Sequence, residues 1–437
     1  MITRFYKSLP QHLKVASISW VSRGIFVLAT LYAIKIATSL LTVNQFAIYA
    51  VIANIVNWLL LTDLGLGYSV QNFISENRAS KTSYKEYVLV CLSVTYFIGI
   101  IIGICLFIFN SFFTNLLFNK ILSANSIKIE ELNRSYLYSN IAGLLTGIGM
   151  VSHKILYAKQ KGYWPNILNA FSAIITLTLL WYFKRYDIHN LTWVLLVFFI
   201  PNIVISFFPS LFMFIDAFVN CYVDLTTELI KNIYTKVTRR GINFFVFTLS
   251  STIVLQIDYI VMSQTVSTSE ISLYNIVFKI YSAFFLVYST LLLALWPSIA
   301  EWYANKEFNK IITYCKKYIL FGIIFIVLAS VAFAYKTNLI LSLISNLKFK
   351  ISLLTISLFA IYFSVRVWTD TYSIILLSTS KVKLLWIFTP IQAAISISLQ
   401  IILSKKIGIN GILCALILSF LLTVTWGLPY QVRKILK

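Results

Sequence analysis

Apolar residues run through this chain in long blocks, separated by short polar stretches that hold most of the charge. A helix that crosses a bilayer needs about 20 mostly apolar residues, and such a helix satisfies its own backbone donors and acceptors. The pattern predicts an all-α, polytopic membrane protein. Its twelve spans fall at 15–37, 44–74, 86–109, 136–157, 164–183, 191–215, 240–263, 271–298, 316–335, 352–378, 384–403 and 408–430. The initial stretch, MITRFYKSLPQHLK, lacks an apolar core and a cleavage pattern, and reads as a cytoplasmic end rather than a signal peptide.

One interruption has a different pattern. In DAFVNCYVDLTTELIKNIYTKVTRR, Phe218, Tyr222, Leu225, Leu229 and Ile233 share a helical face, while Asp224, Glu228, Lys231 and Lys236 lie mostly elsewhere. This predicts an amphipathic cytoplasmic linker over 216–239, joining an N-terminal lobe at 1–215 to a C-terminal lobe at 240–437.

Composition agrees with the block pattern. The chain is 59% hydrophobic and 11% charged, against about 25% charged in soluble domains. The cysteines at 91, 105, 221, 315 and 414 form no C-x-x-C pair and have no histidine at ligand spacing, which argues against a disulfide framework or a zinc site. No G-x-x-x-x-G-K-[ST] loop cradles a nucleotide, so no cofactor is expected, and transport work has to come from a partner or an ion gradient.

The net charge of +22 raises the alternative of nucleic-acid binding, but the basic residues sit in short loops between spans. With the N-terminus in the cytoplasm, 22 Lys and Arg lie in inside segments and 10 in outside loops. That bias predicts both termini in the cytoplasm of a multi-pass protein, with no nucleic-acid partner.

The halves resemble each other at an offset of 225 residues: TVNQFAIYAV (42–51) falls on STSEISLYNI (267–276), Glu76 on Glu301 and Pro165 on Pro390. With a small change of register, KRYDIHN (184–190) falls on KKIGING (405–411). Six spans per repeat is even, so both halves run the same way, and substrate is expected between them.

Twelve spans in two sixes, the Asp-Leu-Gly-Leu-Gly stretch at 63–67, and a tyrosine after a short loop with an amide or an acid (Gln45 to Tyr49, Glu270 to Tyr274) together resemble one family. These are the bacterial O-antigen and polysaccharide flippases of the multidrug/oligosaccharidyl-lipid/polysaccharide exporter superfamily. The resemblance implies two six-helix lobes in a V in the bacterial inner membrane. It implies movement of an undecaprenyl-diphosphate-linked oligosaccharide between leaflets, with proton or sodium ions as coupling ion. Membrane lipids and other polysaccharide-assembly proteins are the implied partners.

Charge inside a span marks candidate function. Apart from the basic residues at span ends, which count with the loops, four lie within spans: Arg23, Lys35, Lys279 and Arg366. Lys279 falls near mid-membrane, and Lys35 lies close enough to a span end to snorkel. The repeat partner of Lys279 is Asn54, the polar residue at matching depth in span two. Cations in a cleft suit a diphosphate-linked glycan, so Lys279, Arg366, Arg23, Asn54, Asp63 and Lys35 are candidate substrate-binding residues. Asp258 and Asp370 are candidate ion-coupling acids. Arg366 and Asp370, four apart on one helix, also fit a plain intrahelical ion pair.

A helix over 44–74 would measure about 46 Å, long enough to carry Asp63 to a cleft mouth, with Gly65 and Gly67 admitting a neighbouring helix or a lipid chain. Asp63 as an interfacial residue beside packing glycines fits equally. Tyr32, Trp58, Tyr288 and Trp368 are aromatic candidates for stacking on sugars, against a plain core or lipid-facing role. His153 reads as a loop residue rather than a proton relay.

Two alternatives stand beside the flippase: a multidrug exporter of the same fold, and a membrane polysaccharide polymerase or ligase. The enzyme reading lacks a large outer loop and paired carboxylates at a suitable separation, so no enzymatic activity is expected.

Overall fold

The computed structural model describes residues 11–79, 83–122, 127–159, 161–221, 226–379 and 383–436. Among them no strand occurs. Eleven helical stretches are long and apolar enough to cross a membrane. The chain divides into two compact units, Met1–Leu249 and Ser250–Lys437. Residues 1–10 of the initial stretch, and Lys81, Tyr222, Asp224, Leu225 and Lys381, which enter the topology and linker expectations, lie outside the described residues.

The first unit holds α1 (Gln11–Leu40), α2 (Val43–Trp58), α3 (Leu66–Ala79), α4 (Lys85–Ile108), α5 (Asn110–Leu122), α6 (Ile129–Ala158), α7 (Tyr163–Arg185) and α8 (Leu191–Cys221). It also holds the first part of α9 (Thr227–Thr265). The tightest seam is α6 against α8. A Cβ on Gly149 would lie 2.4 Å from the backbone nitrogen of Phe207, so only glycine lets these backbones approach.

Two prolines inside α8 each leave the carbonyl four residues earlier without a helical donor. Neighbouring side chains fill both vacancies. Thr176 Oγ1 donates to the Val197 carbonyl at 3.2 Å, four residues before Pro201. His153 Nε2 donates to the Ile205 carbonyl at 3.3 Å, four residues before Pro209. His153 is thus a buried helix residue and not part of a loop, because α6 continues to Ala158.

The expected single helix over 44–74 is broken. A 3-10 turn at Leu59–Leu61 follows α2, and Leu64 (φ 46°) and Gly65 (φ 75°) take left-handed backbone before α3 begins. The causes are local. Thr62 Oγ1 bonds to the Leu59 carbonyl, and the Asp63 carboxylate accepts from the amides of Gly65 at 3.0 Å and Gly67 at 3.1 Å. These bonds offer the backbone an alternative to continued helix.

The second unit holds the rest of α9, then α10 (Thr268–Ala304), α11 (Phe308–Tyr335), α12 (Thr337–Ile344), α13 (Leu353–Ser378), α14 (Lys383–Leu422) and α15 (Val424–Ile435). The spans expected at 384–403 and 408–430 run together as one stretch, Ile387–Ile435. It is interrupted by non-helical backbone at Ile407 and Gly408, next to the expected turn. Among the described residues eleven stretches are thus long and apolar enough to cross a membrane, and the last of them holds two helices joined at the Ile407–Gly408 kink.

The repeat is visible in local geometry. Thr42 and Gln45 form a capping box at the start of α2. Ser267 and Glu270, 225 residues on, form the same box at the start of α10: Ser267 N donates to Glu270 Oε2 at 3.1 Å and Glu270 N to Ser267 Oγ at 3.4 Å. Positive φ recurs as well, at Asp187 (56°) and Gly408 (60°), which are paired in the KRYDIHN and KKIGING alignment. Glu270 also accepts from Ile409 N at 3.3 Å, which ties the start of α10 to that break. The copies part company at Asp63. The second-half counterpart of the 59–65 break lies inside α10, which continues unbroken to Ala304.

Candidate functional site

The segment around Asp63 faces protein. Ideal Cβ atoms built on Gly65 and Gly67 would lie 2.4 Å from the Gly241 carbonyl and 2.5 Å from Asp63 Oδ2. The two glycines therefore admit the α9 backbone and the capping carboxylate, respectively. Ser69 Oγ donates to the Val237 carbonyl at 2.9 Å, and Arg240 pairs with Glu76 at 2.9 Å, which continues the α3–α9 seam. Burial pushes the Asp63 carboxyl above its ordinary pKa, while the two amides and the Lys154 charge pull it back.

Beside this turn, the Lys154 ammonium lies 3.5 Å from the centroid of the Tyr68 ring. Arg23 Nε donates to Asn166 Oδ1 at 3.5 Å, a long bond, and Asn166 Nδ2 donates to the Gly162 carbonyl at 3.2 Å. Asp63 and Lys154 interact electrostatically, and Tyr157 interacts with both Arg23 and Tyr68. Asp63 and Arg23 thus lie in one mixed polar group with Lys154, Tyr68 and Tyr157. Sequence reasoning missed Lys154 and Tyr68, since Lys154 was counted as a loop charge. It lies four residues inside the end of α6.

Asn54 and Trp58 are four apart on α2, so they share a face. The buried Asn54 Oδ1 and Trp58 Nε1 have no hydrogen-bond partner among the described residues. Lys35, near the end of α1, is partly exposed and is not an isolated charge.

In the second unit, Asp258 is 1% exposed. Tyr274 Oη donates to its Oδ2 at 2.6 Å, and Tyr259 N donates to Oδ1 at 3.0 Å. Asn275 Nδ2 donates to Tyr259 Oη at 2.8 Å, which extends the chain of polar contacts. Tyr274, found in sequence as a repeat match, is thus the hydroxyl that holds the buried acid.

Arg366 Nη2 bonds to Asp370 Oδ2 at 3.2 Å, and its guanidinium lies 4.6 Å from the Phe285 ring centroid. The i, i+4 ion pair is formed, so Arg366 is an occupied cation. Tyr288 is fully buried against Gly322 and bonded to Thr371, and Trp368 Nε1 donates to the Thr425 carbonyl at 2.9 Å. The Tyr288 ring is packed in the core, while Trp368 stays partly exposed and lines a cavity of about 290 Å³.

Lys279 differs from these charges. It lies eleven residues past the first residue of α10, is partly exposed, and has no hydrogen bond or ion pair among the described residues. A cation held within a span without a counter-charge costs free energy.

The helical architecture is that of the multidrug/oligosaccharidyl-lipid/polysaccharide exporter superfamily. A multidrug-resistance transporter of the MATE family in an inward-facing conformation matches with a TM-score of 0.72 at 13% identity, covering 95% of this chain and 98% of that one. The lipid II flippase MurJ, in an inward closed conformation, matches with a TM-score of 0.68 at 16% identity, covering 97% of this chain and 89% of that one. No family model matches the chain. Curated relatives do. One from Yersinia pseudotuberculosis, named "Putative O-antigen export protein", is 34% identical over 436 residues, 98% of this chain and 97% of its own length. One from Salmonella typhimurium, named "Putative O-antigen transporter", is 34% identical over 424 residues, 96% of each chain. The chain belongs to the bacterial O-antigen and polysaccharide flippase family of that superfamily.

Proposed function

We propose that the protein is a flippase carrying a lipid-linked oligosaccharide across the bacterial inner membrane. The cargo is an O-antigen or capsule repeat unit on undecaprenyl diphosphate, and it moves by alternating access. The observation that carries this reading is Lys279, a cation within a span with no hydrogen bond or ion pair among the described residues. A diphosphate leaving water needs such a partner, whereas the cationic drugs of the multidrug branch would be repelled. The relatives named for O-antigen export support the same cargo.

The excess of basic residues in alternate loops supports cytoplasmic termini. Asp258 and Asp370 are the acids we assign to a coupling proton or sodium ion. Each already has a hydrogen-bond donor, Tyr274 and Arg366 respectively, that can stabilise its charged form. Other polysaccharide-assembly proteins are the expected partners, and the transport names of the relatives fit a non-enzymatic role.

The test is reconstitution. Purified protein in vesicles should move a fluorescent undecaprenyl-diphosphate saccharide to the opposite leaflet, and a cationic dye should not be expelled. Dye efflux without saccharide movement would assign the protein to the drug-exporting branch.

A further inference from the structure

The first turns of α9 carry two apolar strips. Ile233 (4% exposed) and Val237 (1%) face a core that includes Val70, Ile74, Leu92 and Ile155. The second strip, Ile230 and Tyr234, remains 40% and 47% exposed. Opposite it, α4 presents Leu89, Val90 and Val94, and together they line a groove of about 400 Å³. That volume lies within the range of about 300–1,000 Å³ usual for ligand sites.

The rim is cationic. Lys231 and Thr227 line the groove from α9. The Lys231 ammonium is exposed and has no ion pair or hydrogen bond among the described residues. Beyond the groove lining, Lys236 and Arg239 follow on the same helix, while Arg240 is paired with Glu76. The groove also begins one turn from the start of a membrane-length helix, since Lys85 is the first residue of α4. An occupant therefore meets apolar wall and positive rim within a few ångströms of a span end. Those are the two chemistries of an anionic phospholipid, whose acyl chain and phosphate are joined at that depth.

We propose that this groove binds one anionic phospholipid, its acyl chain against Ile230, Tyr234 and Val94 and its phosphate at Lys231. The groove is built from first-unit residues and shares none with the Lys279 region assigned to cargo, so the proposal stands whatever the cargo is. A bound lipid would fasten the first turns of α9 to α4.

The experiment is native mass spectrometry of the full chain in detergent, titrated with phosphatidylglycerol or phosphatidylcholine. The wild type should retain one phosphatidylglycerol in preference to phosphatidylcholine. Lys231→Gln should weaken retention of the anionic lipid about fivefold, the effect of one interfacial cation, and leave phosphatidylcholine unchanged. Val94→Trp, which fills the groove, should reduce retention of both. Equal retention of the two lipids by the wild type would overturn the proposal, as would unchanged phosphatidylglycerol binding in Lys231→Gln. Displacement of the bound lipid by equimolar undecaprenyl phosphate would instead assign the groove to the cargo's own lipid and overturn it too.

Discussion

His153 Nε2 donates to the Ile205 carbonyl, the acceptor that Pro209 deprives of its own helix partner. A buried carbonyl left without a donor costs about 1–3 kcal/mol. His153→Leu should destabilise the protein by that amount, read as a lower melting temperature in detergent. Pro209→Ala restores an amide donor to Ile205, so His153→Leu in that background should cost clearly less. Equal losses in both backgrounds would show that the histidine acts through packing alone.

The turn at 62–67 rests on Asp63 and Gly65. Asp63→Ala removes the acceptor of two amides and should cost about 0.5–2 kcal/mol, the range for a lost cap. Gly65→Ala should be worse, because its φ is 75° and the new Cβ would lie 2.4 Å from the Gly241 carbonyl. The two variants are compared by membrane abundance and melting temperature. A Gly65→Ala protein as stable as the wild type would contradict the tight α3–α9 seam.

The loop between α7 and α8 carries a pH dependence. His189 Nδ1 donates to the Leu40 carbonyl at 2.9 Å and Nε2 to Asp187 Oδ1 at 2.7 Å. Two acceptors on two ring nitrogens require the protonated ring. These bonds, the Leu40 one foremost, raise its pKa above the ordinary 6.5. A raised value in the fold means that the stabilisation is complete below pH 6.5 and fades as pH rises through the raised pKa. The imidazole is about half exposed, so the effect is small. His189→Gln should flatten the change in melting temperature between about pH 5.5 and 8.5. An unchanged slope would remove this residue as its source.

Asp258 and Asp370 should separate transport from its driving gradient. Asp258→Asn keeps the shape of the contact with Tyr274 but cannot hold an exchangeable proton or balance a cation. Asp370→Asn leaves Arg366 without its counter-charge, so this variant should also be the less abundant of the two. Gradient-independent flipping in vesicles is the expected result for Asp258→Asn. Gradient-driven flipping at the wild-type rate by both variants would exclude these acids from coupling.

The legible parts of the molecule were those with a periodic or repeated signal. Apolar blocks mark the helices, and the 225-residue offset aligns the segments at Thr42 and Ser267, where the structure forms capping boxes in register. The Arg366–Asp370 pair follows from spacing alone. The break at 59–65 was hidden because its apolar residues continue the span, and the signal lay in one Asp-Leu-Gly triplet whose carboxylate caps the next helix. The kink at Ile407–Gly408 falls beside the gap expected between spans 384–403 and 408–430, within the KKIGING repeat match. The roles of His153 and Thr176 depend on which carbonyls Pro209 and Pro201 expose and on which helix lies alongside. The prolines were visible in the sequence, but the neighbouring helix was not.

The central claim is that Lys279 provides charge for an anionic cargo. Export of surface polysaccharide is measured in a flippase-deficient strain expressing wild type, Lys279→Ala or Lys279→Arg, each normalised to membrane protein level. Loss of the cation removes an interaction of several kcal/mol, so Lys279→Ala should lower export at least about tenfold at normal abundance, and Lys279→Arg should keep most of it. Wild-type export by Lys279→Ala at equal abundance would contradict the account.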